Sequence, residues 1–274
     1  MVMSEKPIAI LYEHPWWFEP LFAELDRRQV AYERLHVGDH LYDPAQRECP
    51  YALVVNRVSA FPSNGRQPRI VLYVQQYLAH LESIGAGVVN GYRSYLVGAS
   101  TAMQLDLLER LGVRYPSARV IHDSSQAVRA SAGLAFPILI KPNIGGSGAG
   151  ILRFETVEEL ALAVEIGTID LGIDHIGLVQ ECLPARGDHI CRVEILGGQV
   201  LYGIRLPVSS ESFNYCPADG CNIENPELAV EAFSPPAEIV EDVSQILAAA
   251  GVDLGSVEYL VSDRDGRAYY YDIN

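Results

Sequence analysis

Ile138-Leu139-Ile140-Lys141-Pro142-Asn143-Ile144-Gly145-Gly146-Ser147-Gly148-Ala149-Gly150-Ile151 is the stretch from which the fold is read. A short apolar run delivers a lysine, a loop with four glycines follows, and a second apolar run resumes at Ile151. Glycine lets backbone N–H groups approach an anion closely, and consecutive N–H groups form an anion-binding nest. Lys141 adds a point charge suited to a phosphate. A flexible surface loop is the competing reading. The loop is neither a P-loop nor a dinucleotide fingerprint: no Gly-Lys-Ser/Thr follows, and the next element is a strand.

Upstream, apolar runs at 8–12, 32–37, 51–58 and 88–90 alternate with helical spacing over 15–28 and 69–83. This is the pattern of a doubly wound parallel sheet. Ligands of such sheets sit at the carboxyl ends of the strands. Those ends carry His14 and Trp16, then Asn56 and Arg57, then Asn90. Arg57 and His14 are the substrate-side candidates, set against the reading that strands simply end in polar loops. A single long helix is expected over 95–111, stopped by Gly112. From 118 to 166 a β-α-β-β-α pattern reads as a small separate lobe, with Thr156 and Glu159 as a capping box.

Downstream the chain reads as mostly antiparallel. A strand at 178–183 precedes a hairpin of 190–196 and 200–207 about Gly197-Gly198. A polar loop covers 209–226, a helix 235–250, and a last hairpin joins 256–261 to 268–273. Glu258 lies on one strand of that hairpin, with Asp272 and Asn274 two apart on the other, so the latter share a face. Hard oxygen ligands on neighbouring strands suit Mg²⁺; a solvated polar pair is the alternative. The run Val179-Gln180-Glu181-Cys182-Leu183-Pro184, followed by Asp188 and Arg192, reads either as a nucleotide hinge or as a strand crossing between lobes.

The chain has 274 residues, room for one large domain or two to three lobes. Lys plus Arg number 20 and Asp plus Glu 35, a formal charge of −15, which makes a poor general polyanion binder and argues against nucleic acid. No apolar run approaches a membrane span, and the N-terminus does not read as a signal peptide. The five cysteines therefore read as reduced thiols of a cytoplasmic protein. Cys182 and Cys191 lie in strand-like runs as small core residues. Cys216 and Cys221 lack a second Cys/His pair nearby, which argues against structural zinc.

Taken in order, these parts closely resemble the ATP-grasp superfamily, and within it the glutathione-synthase and glutamate-ligase branch. They are a Lys before a glycine loop, a Gln-Glu-x-Leu hinge, an Asp/Arg strand, an Arg-ending strand, and a Glu followed by Asp-x-Asn on a hairpin. The resemblance implies an α/β (α+β) ATP-grasp fold. It has a doubly wound pre-ATP-grasp domain (1–98), a linker helix and lid (99–177), and a mainly antiparallel lobe with the metal site (178–274). It implies a cytoplasmic ligase that activates a carboxylate as an acyl phosphate and joins it to an amine, releasing ADP and phosphate.

By this resemblance, Lys141 contacts the ATP phosphates and Gly145, Gly146, Ser147 and Gly148 close over them. Glu181 and Leu183 hold adenine through their backbones, with Gln180, Cys182 and Arg192 beside the nucleotide and Asp188 as ribose ligand. Glu258, Asp272 and Asn274 bind Mg²⁺, with Mn²⁺ as the alternative ion. Arg205 joins Lys141 as a catalytic cation at the transferred phosphoryl group. Asn214 and Asp219 face the acceptor, although ordinary turn chemistry also accounts for them. The partners implied are a small-molecule or peptide carboxylate and an amine acceptor, with no nucleic acid and no membrane; a homodimer is expected because dimers are common in the family.

Two departures stand out. Thr101 takes the place of a second phosphate-binding lysine, which leaves Arg119 or another residue to substitute. The sequence also stops at Asn274, where family chains continue. A small-molecule kinase and a non-catalytic ATP-binding protein are the alternative readings. A nicotinamide oxidoreductase is disfavoured, because no Gly-x-Gly-x-x-Gly follows Tyr12. No base for the amine is identified.

Overall fold

The computed structural model describes residues 6–61, 69–146, 148–207 and 230–274. The first lobe runs β1 (Ile8–Tyr12), α1 (Pro15–Arg27), β2 (Tyr32–His36), β3 (Leu53–Asn56), α2 (Arg69–Ser83) and β4 (Val88–Val89). Its sheet is parallel in the order β2-β1-β3-β4. The chain leaves β1 toward one edge and β3 toward the other, so the topological switch point lies between β1 and β3. The helical spacing of α2 has a clear cause. Val71, Val74, Leu78 and Leu81 fall on one face and pack with Ala9, Leu11 and Val54, each burial contributing roughly 1.5–3 kcal/mol.

The helix expected over 95–111 is two helices, α3 (Tyr92–Ala99) and α4 (Thr101–Leu111). The break is at Ser100, whose backbone is extended and whose hydroxyl accepts from the Met103 amide as an N-cap. Asn143, on the loop leaving the lysine strand, fastens the break. Its side-chain oxygen accepts from the Ala102 amide (2.9 Å) and from Ser100 Oγ (3.0 Å), and its carbonyl accepts from the Thr101 amide (3.1 Å).

The second lobe contains β5 (Ala118–Ile121), a 3-10 turn into α5 (Ala127–Ala130), β6 (Ile138–Pro142), β7 (Leu152–Phe154), α6 (Val157–Glu165) and β8 (Gly177–Glu181). Its sheet is antiparallel in the order β5-β8-β6-β7. The strand at the start of the expected 178–274 lobe therefore belongs to the second sheet, hydrogen-bonded between β5 and β6. Thr156 caps α6 as expected, but Glu159 reaches back to the Glu155 amide rather than to that of Thr156.

The third lobe is β9 (His189–Leu196), β10 (Gln199–Pro207), β11 (Glu231–Phe233), α7 (Ala237–Ala250), β12 (Leu254–Val261) and β13 (Ala268–Ile273). Its sheet is antiparallel in the order β11-β10-β9-β12-β13. The β9–β10 turn has positive φ at both Gly197 and Gly198, as a two-residue hairpin loop requires. Helix α7 lays Ile239, Val243, Ile246 and Leu247 on the face of this sheet that carries Cys191, Val193, Val257 and Tyr259. The opposite face is left for the site. No helix among the described residues is long and apolar enough to cross a membrane.

Candidate active site

A cavity of about 1070 Å³ is lined by residues of all three sheets. Strand alternation decides which side chains reach it. On β6, Ile138 and Ile140 turn into the lid core with Val179 and Leu160. Leu139 and Lys141 therefore turn the other way and line the cavity. On β8, Gln180 lies opposite Leu139 and lines it as well. The Lys141 ammonium sits 6.0 Å from the Tyr271 ring centroid. Burial pushes its pKa down, opposed by the charges of Asp272 and Glu258.

The floor is the free face of the third sheet. Glu258 lies in register with Asp272 on one side and with Arg192 on the other. Arg192 reaches Glu258 at 3.8 Å and Glu194 at 3.5 Å. A bulge after Glu258 pairs Tyr259 with Tyr270 and leaves Tyr271 as the extra residue. Its hydroxyl is buried close to Glu258. Asn274 donates from Nδ2 to Asp272 (2.7 Å), and its backbone continues the ladder with Ser256. Burial, and then Asp272, push the Glu258 carboxyl above its ordinary range, opposed by Arg192 and Lys141. A cation bound between Glu258 and Asp272 would favour the charged form of Glu258 further. Among the described residues no group of three or more His, Cys, Asp and Glu is assembled. Two carboxylates and an amide oxygen fit Mg²⁺, which completes its shell with water and phosphate oxygens.

At the hinge, the Glu181 and Cys182 amides are already committed, to Ser117 and Pro137 carbonyls (both 2.9 Å). The Glu181 carboxylate accepts from the Ala135 amide and from Arg264. Of the hinge donors, the Leu183 amide is the one without a partner among the described residues, and Leu183 lines the cavity. Cys182 is half-buried on the cavity wall rather than a core residue, whereas Cys191 is buried. Asp188 is exposed at the cavity rim in the left-handed region (φ 53°).

Gly145, Gly146 and Gly148 line the cavity as well. Gly146 is in contact with the Phe61 ring of the first lobe, and a Cβ there would fall inside that ring. Only glycine permits this approach.

Other expected residues lie elsewhere. Arg205 is in register with Cys191 and Glu231, on the α7 face of the sheet. It pairs with Glu231 (2.8 Å) and lies over the Phe233 ring. The pleat gives the cavity face to its neighbour Ile204, which opposes Arg192. Arg205 is thus turned away from the phosphoryl site that the resemblance implied. His14 sits at the N-cap position of α1 without a side-chain cap bond, its ring 4.3 Å from that of Trp17; Trp17 lines the cavity and His14 does not. Arg119 is also outside the lining, whereas Thr101 and Arg153 are in it. Ser147, Asn214, Asp219, Cys216 and Cys221 lie outside the described residues. Arg57, at the end of β3, lines the cavity, and its amide donates to Leu11 across the switch point.

Sequence reasoning missed Glu194, Asn143 and Phe61. Glu194 had a signal: it shares a face with Arg192, two residues away.

No protein-family model matches the chain. A 90-residue stretch is 39% identical to the D-alanine–D-alanine ligase of Haemophilus influenzae (strain PittEE), covering 33% of this chain and 28% of that one. The chain spans well under half the length of such curated relatives. Among solved structures, the RimK domain ATP-grasp protein of Sphaerobacter thermophilus superposes with a TM-score of 0.71 at 18% identity, over 97% of this chain and 90% of that one. The ATP-grasp ligase PsnB, complexed with a phosphomimetic variant of minimal precursor, Mg and ADP, superposes with 0.70 at 17% identity, over 99% and 91%. The chain has the ATP-grasp fold.

Proposed function

We propose that this protein is an ATP- and Mg²⁺-dependent ligase that activates a substrate carboxylate as an acyl phosphate and joins it to an amine, releasing ADP and phosphate. The observation that carries this is the register pairing of Glu258 with Asp272 in the cavity that Lys141 enters from the lid. The sequence likeness to a D-alanine–D-alanine ligase and the fold shared with PsnB support the same reaction class. When bound, Mg-ATP supplies the phosphoryl group and the cation that neutralises it.

The chain's own residues do the rest. Glu258, Asp272 and the Asn274 amide hold the metal, with Mn²⁺ acceptable to the same oxygen set. Lys141 and Arg192 place positive charge at the transferred group, where phosphoryl transfer depends on positioning and charge neutralisation. The Leu183 amide reads the adenine edge and Asp188 the ribose. Gly146 packs on Phe61, and with Gly145 and Gly148 it covers the cavity and keeps water from the activated carboxylate. Arg205 has no part in this reading. The carboxylate belongs to a small molecule or a peptide. The free thiols of Cys49, Cys182 and Cys191 fit a cytoplasmic setting.

The test is incubation with Mg-ATP, hydroxylamine and pooled amino acids and small carboxylates, with ADP, AMP and hydroxamate quantified. Carboxylate-dependent ADP with hydroxamate is expected. AMP in place of ADP overturns the acyl-phosphate route, and ADP without hydroxamate favours a kinase.

A further inference from the structure

Glu194 has no part in the chemistry assigned so far. It lies on β9 in register with Tyr202 and Ser256, one rung beyond the Arg192–Glu258 rung. Its side chain is only 8% exposed, yet it lines the cavity. Tyr202 lies beside it across the strand pair, and Arg192 stands 3.5 Å away as an ion pair. That contact is made by Arg192 Nη2 to Oε2, which is buried and makes no hydrogen bond among the described residues. The ion pair offsets its charge, but a buried carboxylate oxygen short of a hydrogen-bond donor still gains from a ligand that donates to it.

The same cavity carries complementary groups from the first lobe. Arg57 directly follows β3 and Trp17 lies in the first turn of α1 after β1, on the two sides of the switch point where ligands of such sheets bind. Arg57 lies in the field of Glu194 and Arg192. The Trp17 indole N–H is buried without a partner among the described residues, and Trp17 lines the cavity. One buried acceptor thus shares the cavity with two donors, one of them cationic.

Building on the ligase reading, we propose that the amine substrate is a free amino acid, with its ammonium group held by Glu194 and its carboxylate by Arg57 and the Trp17 indole. The spacing agrees. Two residues along a strand are about 6.6 Å. That is close to a carboxylate–nitrogen contact of about 3 Å plus a near-attack distance of about 3–3.5 Å from nitrogen to an acyl carbon at the Arg192–Glu258 rung. The ammonium gives one proton to Glu194 and the nitrogen lone pair attacks the acyl carbon. The C–N bond forms as the C–O bond to phosphate breaks, phosphate leaves with that electron pair, and the second ammonium proton is lost to water.

The experiment compares wild type, Glu194→Gln and Arg57→Gln in two assays sharing one donor carboxylate. Hydroxylamine, neutral at pH 7, traps the activated carboxylate without needing an ammonium site. The amino-acid panel, D and L, with the matching amino-acid amides, reports ligation. Glu194→Gln is expected to keep hydroxamate formation within about 3-fold while raising the amino-acid KM more than 10-fold. Wild type is expected to prefer amino acids over their amides at least 10-fold, and Arg57→Gln to erase that preference. A thermal-shift titration with amino acids in the presence of Mg-AMPPNP should show stabilisation of wild type and none of Glu194→Gln. The proposal is overturned if Glu194→Gln leaves the amino-acid KM unchanged, if it lowers both assays equally, or if amides serve wild type as well as amino acids. In those cases wild-type hydroxamate still upholds the ligase reading. Absence of hydroxamate from wild type removes both.

Discussion

The lid sheet and the floor sheet both present one face of an antiparallel strand set to the same cavity, yet they are built differently. The lid face, Leu139, Lys141, Leu178 and Gln180, is apolar apart from one cation and one amide. The floor face sets Arg192, Glu194, Glu258 and Asp272 within two adjacent rungs. Packing alone explains the lid, whose other face fills its own core with Ile138, Ile140 and Val179. It does not explain the floor, where burial and the neighbouring Asp272 both disfavour the charged form of Glu258. The difference teaches where function lies. The lid contributes shape and a single charge, and the floor bears an electrostatic cost that a bound cation would lower.

Breaking either side of that comparison has an expected size. Lys141→Ala and Asp272→Asn should each lower carboxylate-dependent ADP formation by about 10²–10³-fold. Asp272→Asn should melt no lower than wild type without metal, since it relieves the repulsion with Glu258. Loss of stability in step with activity would make the floor a structural network instead.

The join between lid and linker is the next test. Asn143 is 4% exposed, and its side chain serves Ala102, Ser100 and Asp174. Asn143→Ala should cost about 2–3 kcal/mol in denaturant unfolding, because buried partners are left unsatisfied. A cost under about 0.5 kcal/mol would show the break in α3–α4 to be held by something else.

Gly146→Ala sharpens the lid side. Its Cβ would occupy the Phe61 ring, so turnover should fall about 10-fold, roughly 1.4 kcal/mol. Phe61→Ala in the same chain should restore part of it, as coupled neighbours do. Strict additivity of the two changes would contradict a lid contact.

The smallest effect lies far from the site. His40 is partly buried against the Tyr73 hydroxyl (2.8 Å), and burial lowers its pKa. The folded state then binds fewer protons than the unfolded one, so stability should decline as pH falls below about 6.5. His40→Gln should flatten that slope in thermal melts between pH 5 and 7, while a slope left unchanged would assign it to other groups.

What was legible in the sequence was local. The alternation Ile138-Leu139-Ile140-Lys141 places the lysine on the free face of its strand, and Gly197-Gly198 marks its hairpin, because each depends only on near neighbours. The break at Ser100 was not legible, since it depends on Asn143, 43 residues later. Arg205 was misplaced for a related reason: which face it takes is set by the register of β10 on β9, with an irregularity at Val200 and Tyr202. Glu194 sits in an otherwise apolar strand, and only the assembled sheet shows what its carboxylate faces.

The most direct test of the ligase account follows an oxygen atom. With a donor carboxylate labelled with ¹⁸O, one labelled oxygen should appear in the released phosphate for each amide formed, in step with ADP. Label found in AMP, or retained in full by the product while phosphate stays unlabelled, would contradict an acyl phosphate and with it the account given for Lys141, Glu258 and Asp272.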